Sequence, residues 1–209
     1  MYTVRIVHHP GPGKAAELRV ALEEHSAAAN AAGSPHNVSQ LLYGPEPTLV
    51  NAIRYEDLGA LDAYAARNAS DSAYQARTAK ITACLARPQT STLYENLVTT
   101  ARSSDVNYAL RRTFYPEPGK AAELRQVLEA RANTSSPGSA GKGLTTQVLG
   151  PDRPHFVLTT LFSSLEGFEQ YLKAQSADQG VQAFAAQIGN LSAPGSRTEL
   201  YRILLPFAS

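Results

Sequence analysis

Hydrophobic and polar residues alternate along the chain with two different periods. "YTVRIVHH" at 2–9 and "YALRRTFY" at 108–115 are rich in β-branched and aromatic residues and stop at Pro-Gly, which predicts strands. After each, Leu18, Leu22, His25 and Ala29, and likewise Leu124, Leu128 and Arg131, recur at helical spacing. Each set gives an amphipathic helix opened by a Pro-Gly corner. Turn-dense "AAGSPHN" and "SSPGSAGKG" then lead into "VSQLLYG" and "LTTQVLG", followed by "TLVNAIRY" and "HFVLTTLF". Those are hairpin strands. A second helical region carries Leu58, Leu61 and Tyr64, or Leu165, Phe168 and Tyr171, and breaks near "NASD" and "QSAD". It continues through Tyr74, Ile81 and Leu85, or Val181, Phe184 and Ile188, before a last strand, "STLYENLV" or "TELYRILL".

The elements come in pairs because the sequence repeats. "PGKAAELR" at 12–19 returns unchanged at 118–125, an offset of 106 residues, and one inserted residue later "DLGALDAY" at 57–64 meets "SLEGFEQY" at 164–171. Asp71 matches Asp178, Ile81 matches Ile188, and "LYENL" matches "LYRIL". The order in each copy is βαββαβ, the split ferredoxin-like unit. The expected organisation is a first repeat over 1–98, a Ser/Thr-rich linker over 99–107 and a second repeat over 108–209. A four-stranded sheet with helices on one face leaves its other face bare, and a second identical sheet covers it. The expected fold is therefore α+β, with two ferredoxin-like repeats packed sheet to sheet as an intramolecular dimeric α/β barrel.

The "YPEPGKAAELR" corner, the "GP" hairpin and the "SLEGFEQYL" helix start resemble the NIPSNAP-type domain of the dimeric α+β barrel superfamily. That resemblance implies the barrel fold. The superfamily also includes antibiotic-biosynthesis-type monooxygenases that need no cofactor, haem-degrading oxygenases, isomerases and cyclases, so function does not follow from fold. The oxygenase members commonly place a tryptophan in the pocket, and this chain has none. The departure weakens an enzymatic reading.

Composition narrows the partners. Nineteen basic and eighteen acidic side chains leave a formal charge of +1, so no whole-chain field draws in nucleic acid or an anionic membrane. The single cysteine, Cys84, excludes an intrachain disulfide. With no apolar run near the roughly 18 residues that span a bilayer, the expected location is cytoplasmic. Cys84 aligns with Leu191 on an apolar stripe and reads as a small hydrophobe.

Candidate chemistry lies on the strands. His8 and His9 point to opposite faces and cannot chelate one metal, and no other metal spacing occurs, so neither metal nor cofactor is expected. The second copy carries Phe114 and Tyr115 at those places, which favours ring packing at the strand end. "GPGK" could hold an anion at a helix start, but Pro12 and Pro118 each remove a donor and a turn is the simpler reading. Tyr2, Val4, Ile6 and His8 form the more apolar strand face and should lie under the helices. Thr3, Arg5, Val7 and His9 would then face the barrel interior, with Arg111 and Tyr115 as counterparts of Arg5 and His9. Arg112 aligns with Ile6 and breaks this split, which means an edge position or a reversed face assignment.

The arginines need a carboxylate, such as Glu95 or Glu199, or an anionic ligand. The expected ligand set is Arg5, His9, Tyr43, Asn51, Tyr94, Arg111, Tyr115 and Tyr201, around a small aromatic or carboxylate-bearing molecule. In a cofactor-independent oxygenase or isomerase, His9 would be the base, with Arg5 and Asn51 orienting substrate. A third reading is an interaction scaffold without a pocket, and a homodimer is compatible with any of the three.

Overall fold

The computed structural model describes residues 1–44, 46–100 and 105–207. The hairpin's Pro45 and residues 101–104 of the expected linker lie outside the described residues. The first half contains β1 (Tyr2–His8), α1 (Ala15–Ala31), β2 (His36–Tyr43), β3 (Leu49–Tyr55), α2 (Leu58–Ala69), α3 (Ser72–Ala83) and β4 (Thr90–Thr99). The second contains β5 (Tyr108–Pro116), α4 (Ala121–Asn133), β6 (Gly141–Leu149), β7 (Phe156–Phe162), α5 (Leu165–Ala177), α6 (Gln179–Leu191) and β8 (Ser192–Leu205). The strands follow one another by hydrogen bonding in the order β1-β3-β2-β8-β5-β7-β6-β4, a closed antiparallel barrel. Strands β2 and β6 start earlier than their apolar patterns suggest, because turn-prone His36, Asn37 and Gly141 already join the ladder.

The chain divides into two compact units. One comprises 1–95 with 149–151 and the residues from Arg202 onward, and the other comprises 96–148 and 152–201. The boundary therefore falls inside β4 and again inside β8.

In the first unit, the ladder pairs Ile6 with Asn51 and Val38 with Asn51, so these side chains share one sheet face. On that face Leu18, Leu22, Val38, Leu49, Ile81 and Cys84 form a core, with Leu204 and Leu205 packed against it. Fully buried leucines such as Leu18 and Leu22 contribute about 1.5–3 kcal/mol each. The corner before α1 is a turn: Gly13 has φ 72°, Lys14 N donates to Gly11 O at 2.9 Å, and Gly11 N donates to Cys84 O at 2.8 Å. The Lys14 ammonium lies 2.5 Å from Glu17. Donors and lysine are thus both engaged inside the protein.

The second unit repeats the device, with Gly119 at φ 79° and Lys120 paired to Glu123 at 2.9 Å. Its core gathers Phe114, Leu124, Leu128, Leu144, Leu158, Ile188 and Leu191, with Leu97 and Val98 alongside. Lys142 is only 3% exposed, and its ammonium closes the end of α4 by donating to Arg131 O, Thr134 O and Ser136 Oγ at 3.3, 2.5 and 2.7 Å. Thr134 N also donates to Arg131 O, and these oxygens at the negative end of the helix dipole give the buried ammonium three acceptors, which is why a cation is tolerated there. Gly138, at φ 74° in the same connection, touches Gly167 of α5 so closely that a Cβ would overlap the Gly167 carbonyl oxygen.

Gly138→Ala is accordingly expected to destabilise the protein by more than the ~1–2 kcal/mol of a left-handed residue alone, because backbone must also move. Urea unfolding checks this; an unchanged midpoint would show that the Gly138–Gly167 contact does not hold α5 in place.

Candidate functional site

The first unit's helix-covered face carries a connected set of rings. His36, at the start of β2, is held by Asn30 at the end of α1: His36 N donates to Asn30 Oδ1 at 2.6 Å, and Asn30 Nδ2 donates to His36 O at 3.1 Å. Asn51 Nδ2 lies 3.4 Å from His36 Nδ1, so the ring carries its proton on Nε2 and donates it to Tyr64 Oη at 3.2 Å. Tyr64 in turn packs edge-on against Tyr55 and Tyr74, with centroids 5.6 and 6.2 Å apart. His25 of α1 closes the set, 5.7 Å from His36 and 5.1 Å from Tyr74.

Beside these rings lies a cavity of about 560 Å³. Its floor is Val4 and Ile6 of β1 with Ile53 and Tyr55 of β3, and its walls are Leu61, Tyr64, Ala65, Asn68 and Ala69 of α2 and Tyr74, Gln75 and Thr78 of α3. The helical wall follows from spacing, since residues 61, 64, 65 and 68 share one helix face. Asp57 and Asp71 cap α2 and α3, accepting from Ala60 N and Ala73 N at 2.8 Å each, and Gln75 Nε2 braces the elbow by donating to Ala69 O. The cavity exists because α2 has no buried residue. In the second unit the matching helix buries Tyr171 and stacks Phe168 and Tyr171 on Phe162, each at 5.3 Å. Leu61 stands where the second copy has Phe168, and the missing ring leaves the space.

Apolar atoms dominate the lining, yet two polar atoms in it, Asn68 Nδ2 and Thr78 Oγ1, are shielded from solvent and have no hydrogen-bond partner among the described residues. Unpaired buried donors are costly, about 1–3 kcal/mol each, so a ligand oxygen between them is favoured. Burial, with Tyr74 as a lesser cause, pushes the Tyr55 and Tyr64 phenols well above their ordinary range, so both stay protonated and act as donors. Burial, and then neighbouring His25, pulls His36 down to about 3. Burial and Arg77 pull His25 to about 4, and burial, His25 and His9 pull His8 to about 4. No charged side chain lines the cavity itself; the nearest described cation on its tyrosines is Arg67, 5.6 Å from the Tyr64 ring centroid, which opposes the rise of both phenols.

The residues singled out from the sequence are not gathered at this cavity. Arg5 pairs with Ala52 and therefore lies on the face opposite Asn51, so the two cannot orient one substrate together. Asn51 sits instead behind the ring set, 2% exposed. Glu95 pairs with Tyr2 and shares neither strand row nor face with Arg5. Tyr43, at the far end of β2 beyond the Gln40–Leu49 pair, is 74% exposed and does not line the cavity. Tyr94 is buried on the side of Thr3, while Tyr201 is buried and donates to Glu199 Oε2 at 2.9 Å. Tyr115 lies under Arg153, 4.1 Å from the ring centroid, and Arg111 alternates with Arg112 on β5. His9 accepts from Arg87 Nη2 at 3.0 Å, and Arg87 also holds Glu46 at 2.7 Å, so His9 Nε2 is occupied and the proton on Nδ1 faces Glu46 at 3.4 Å. Desolvation, then Arg87, lowers the His9 pKa, with Glu46 opposing. Arg112 lies 5.8 Å from the Tyr171 ring, which puts it on the helix-covered face in line with Ile6. Among the described residues, no group of three His, Cys, Asp or Glu is placed to hold a metal, and no helix is long and apolar enough to cross a membrane.

No protein-family model matches the chain, and no curated protein does. Solved structures do. An anthrone oxidase-like protein aligns over 100% of this chain and 93% of its own at 15% identity and TM-score 0.69. A candidate monooxygenase of Fusobacterium nucleatum aligns over 100% and 94% at 12% identity and TM-score 0.78, and one of Lactobacillus acidophilus over 97% and 93% at 12% identity and TM-score 0.68. The chain has the dimeric α+β barrel fold of these proteins. At such identities the likeness carries the fold alone.

The three buried histidines give the first unit an acid limit. Each binds fewer protons folded than unfolded between its lowered pKa and 6.5, so stability is full above pH 6.5 and falls as the pH drops from there toward 4. The unfolding free energy from urea titration is expected to fall between pH 7.5 and 5, by at most ~1.4 kcal/mol per pH unit per histidine. In His25→Phe the fall should be shallower; an identical pH profile would remove His25 from this account.

Proposed function

We propose that the first unit's cavity binds a small, flat, largely apolar molecule carrying an oxygen that accepts hydrogen bonds, in a protein of NIPSNAP-like type. The supporting observation is the pairing of tyrosine-walled space with two unpartnered donors, Asn68 Nδ2 and Thr78 Oγ1, on adjacent helices. A carboxylate is the poorer occupant, since no charged side chain lines the cavity.

A cofactor-independent oxygenase is the second reading, favoured by the His36–Tyr64 hydrogen bond at the cavity wall and by the monooxygenase names among the structural neighbours. Direct attack by oxygen needs a substrate made electron-rich by loss of a proton. His36, held near pKa 3, is some four units below the pH at which a general base works best, and Tyr64 is a donor. The chemistry of the site therefore suits holding a molecule better than deprotonating it. His9, with Nε2 engaged by Arg87, is not the base of this cavity.

Anthrone and its oxygen-free counterpart, 9,10-dihydroanthracene, separate these terms by displacement of a fluorescent dye. Anthrone is expected to bind about tenfold more tightly, the worth of roughly one good hydrogen bond. Asn68→Leu should erase that difference, and Ala65→Phe should abolish binding of both. Equal binding by wild type and Ala65→Phe would remove the cavity as the site.

Oxygen uptake with anthrone should stay at the buffer rate. Consumption that falls at least tenfold in Tyr64→Phe, and is unchanged in His9→Ala, would replace binding by oxygenation.

A further inference from the structure

The second unit treats the equivalent space differently. The repeat's offset places Arg112, Arg131 and Lys142 where the first copy has Ile6, His25 and His36. Three cations thus replace one aliphatic and two neutral rings beneath the helices. Arg112 is half-buried, with its guanidinium 5.8 Å from the Tyr171 ring centroid. Arg131 is half-buried too, 5.5 Å over Phe184, and it donates to Gln175 Oε1 at 3.0 Å. Among the described residues no carboxylate forms an ion pair with any of the three.

The three differ in what they have left to give. Lys142 spends its ammonium on Arg131 O, Thr134 O and Ser136 Oγ. Arg131 has met one acceptor, a neutral amide. Arg112 donates to no described residue. Two planar guanidinium forks with unspent N–H groups, braced by aromatic rings from α5 and α6, are the chemistry that recognises a group with two or more negatively charged oxygens. Burial draws the Lys142 pKa down to about 8, and Arg131 and then Arg112 add to the shift, so both guanidiniums lie close enough to Lys142 to oppose its charge. Like charges kept together in a half-buried place cost stability that an anion returns.

We infer that the second unit binds an oxyanion, a phosphate or a carboxylate, between Arg112 and Arg131 beneath α5. The site is independent of the first unit's cavity, where no charged group lines the wall. Its occupant is either a free inorganic ion or the acid group of an aromatic molecule, for which the Tyr171 and Phe184 rings provide contact.

The test uses the full chain in sodium chloride, inorganic phosphate or benzoate at equal ionic strength, with thermal unfolding and titration calorimetry as readouts. Phosphate or benzoate should raise the unfolding temperature above the chloride value with a saturable dependence on concentration. The tighter of the two identifies the source of the oxyanion. Arg112→Ile, which installs the first copy's residue, should weaken binding at least tenfold without lowering the unfolding temperature in chloride, and Arg112→Lys should weaken it less. Ala65→Phe in the first unit should leave it unchanged. If neither anion stabilises beyond chloride, or if Arg112→Ile binds as wild type does, the inference is overturned. Loss of folding in Arg112→Ile is met by Arg131→Gln, whose affinity should also fall at least tenfold.

Discussion

The ladder between β1 and β3 decides which side chains in the first unit can meet. Because strand residues alternate between faces, the register that sets Ile6 opposite Asn51 sends Val4, Ile6, Ile53 and Tyr55 together under the helices and sends Arg5 away from them. A slip of β1 by one residue would replace Val4 and Ile6 with Thr3, Arg5 and Val7 and put a charge into an apolar floor. The ring set, the cavity and its unpaired donors all follow from that single alignment. So does the separation of Asn51 from Arg5, which no rearrangement of rotamers can undo.

The same scaffold is filled in two ways. In both halves a helix pair broken by a capping aspartate, Asp71 or Asp178, lies over the sheet. Phe162, Phe168 and Tyr171 fill the space in one half, whereas Tyr55, Leu61 and Tyr64 leave it open in the other. That space opens toward solvent between α2 and α3, so leaving it unfilled does not carry the cost of a closed internal cavity of the same size. Each half keeps a closed core of its own, built on Leu18 and Leu22 or on Leu124 and Leu128.

Much of the architecture is legible in the sequence. Period-two and period-3.6 patterns locate the strands and helices, the repeated "PGKAAELR" shows that one plan is used twice, and the apolar face of β1 is the face the helices cover. Arg112 is an honest member of that face, since a guanidinium can stack on Tyr171 and remain half-hydrated, a possibility that polarity alone conceals. The site was less legible. His36 and Asn51 look like surface or lumen residues, and only the tertiary contacts of α1 and α2 bring them beside Tyr64. The decisive signal was a difference in size, Leu61 against Phe168, which appears when matched positions are compared for volume and not for likeness.

The return of residues from Arg202 onward to the first unit has a consequence for how the protein is made. Leu205 accepts a hydrogen bond from Asn37 across 168 residues of sequence, Phe207 lies 3.7 Å from the Arg54 guanidinium, and Leu204 and Leu205 pack on the Leu18–Leu22 core. During synthesis the first half emerges long before these contacts can form, and it must wait with part of its core and one strand edge uncovered until the second half has followed. The part that leaves the ribosome first is thus the part completed last, and the interval is one in which the nascent chain depends on being kept from other edges.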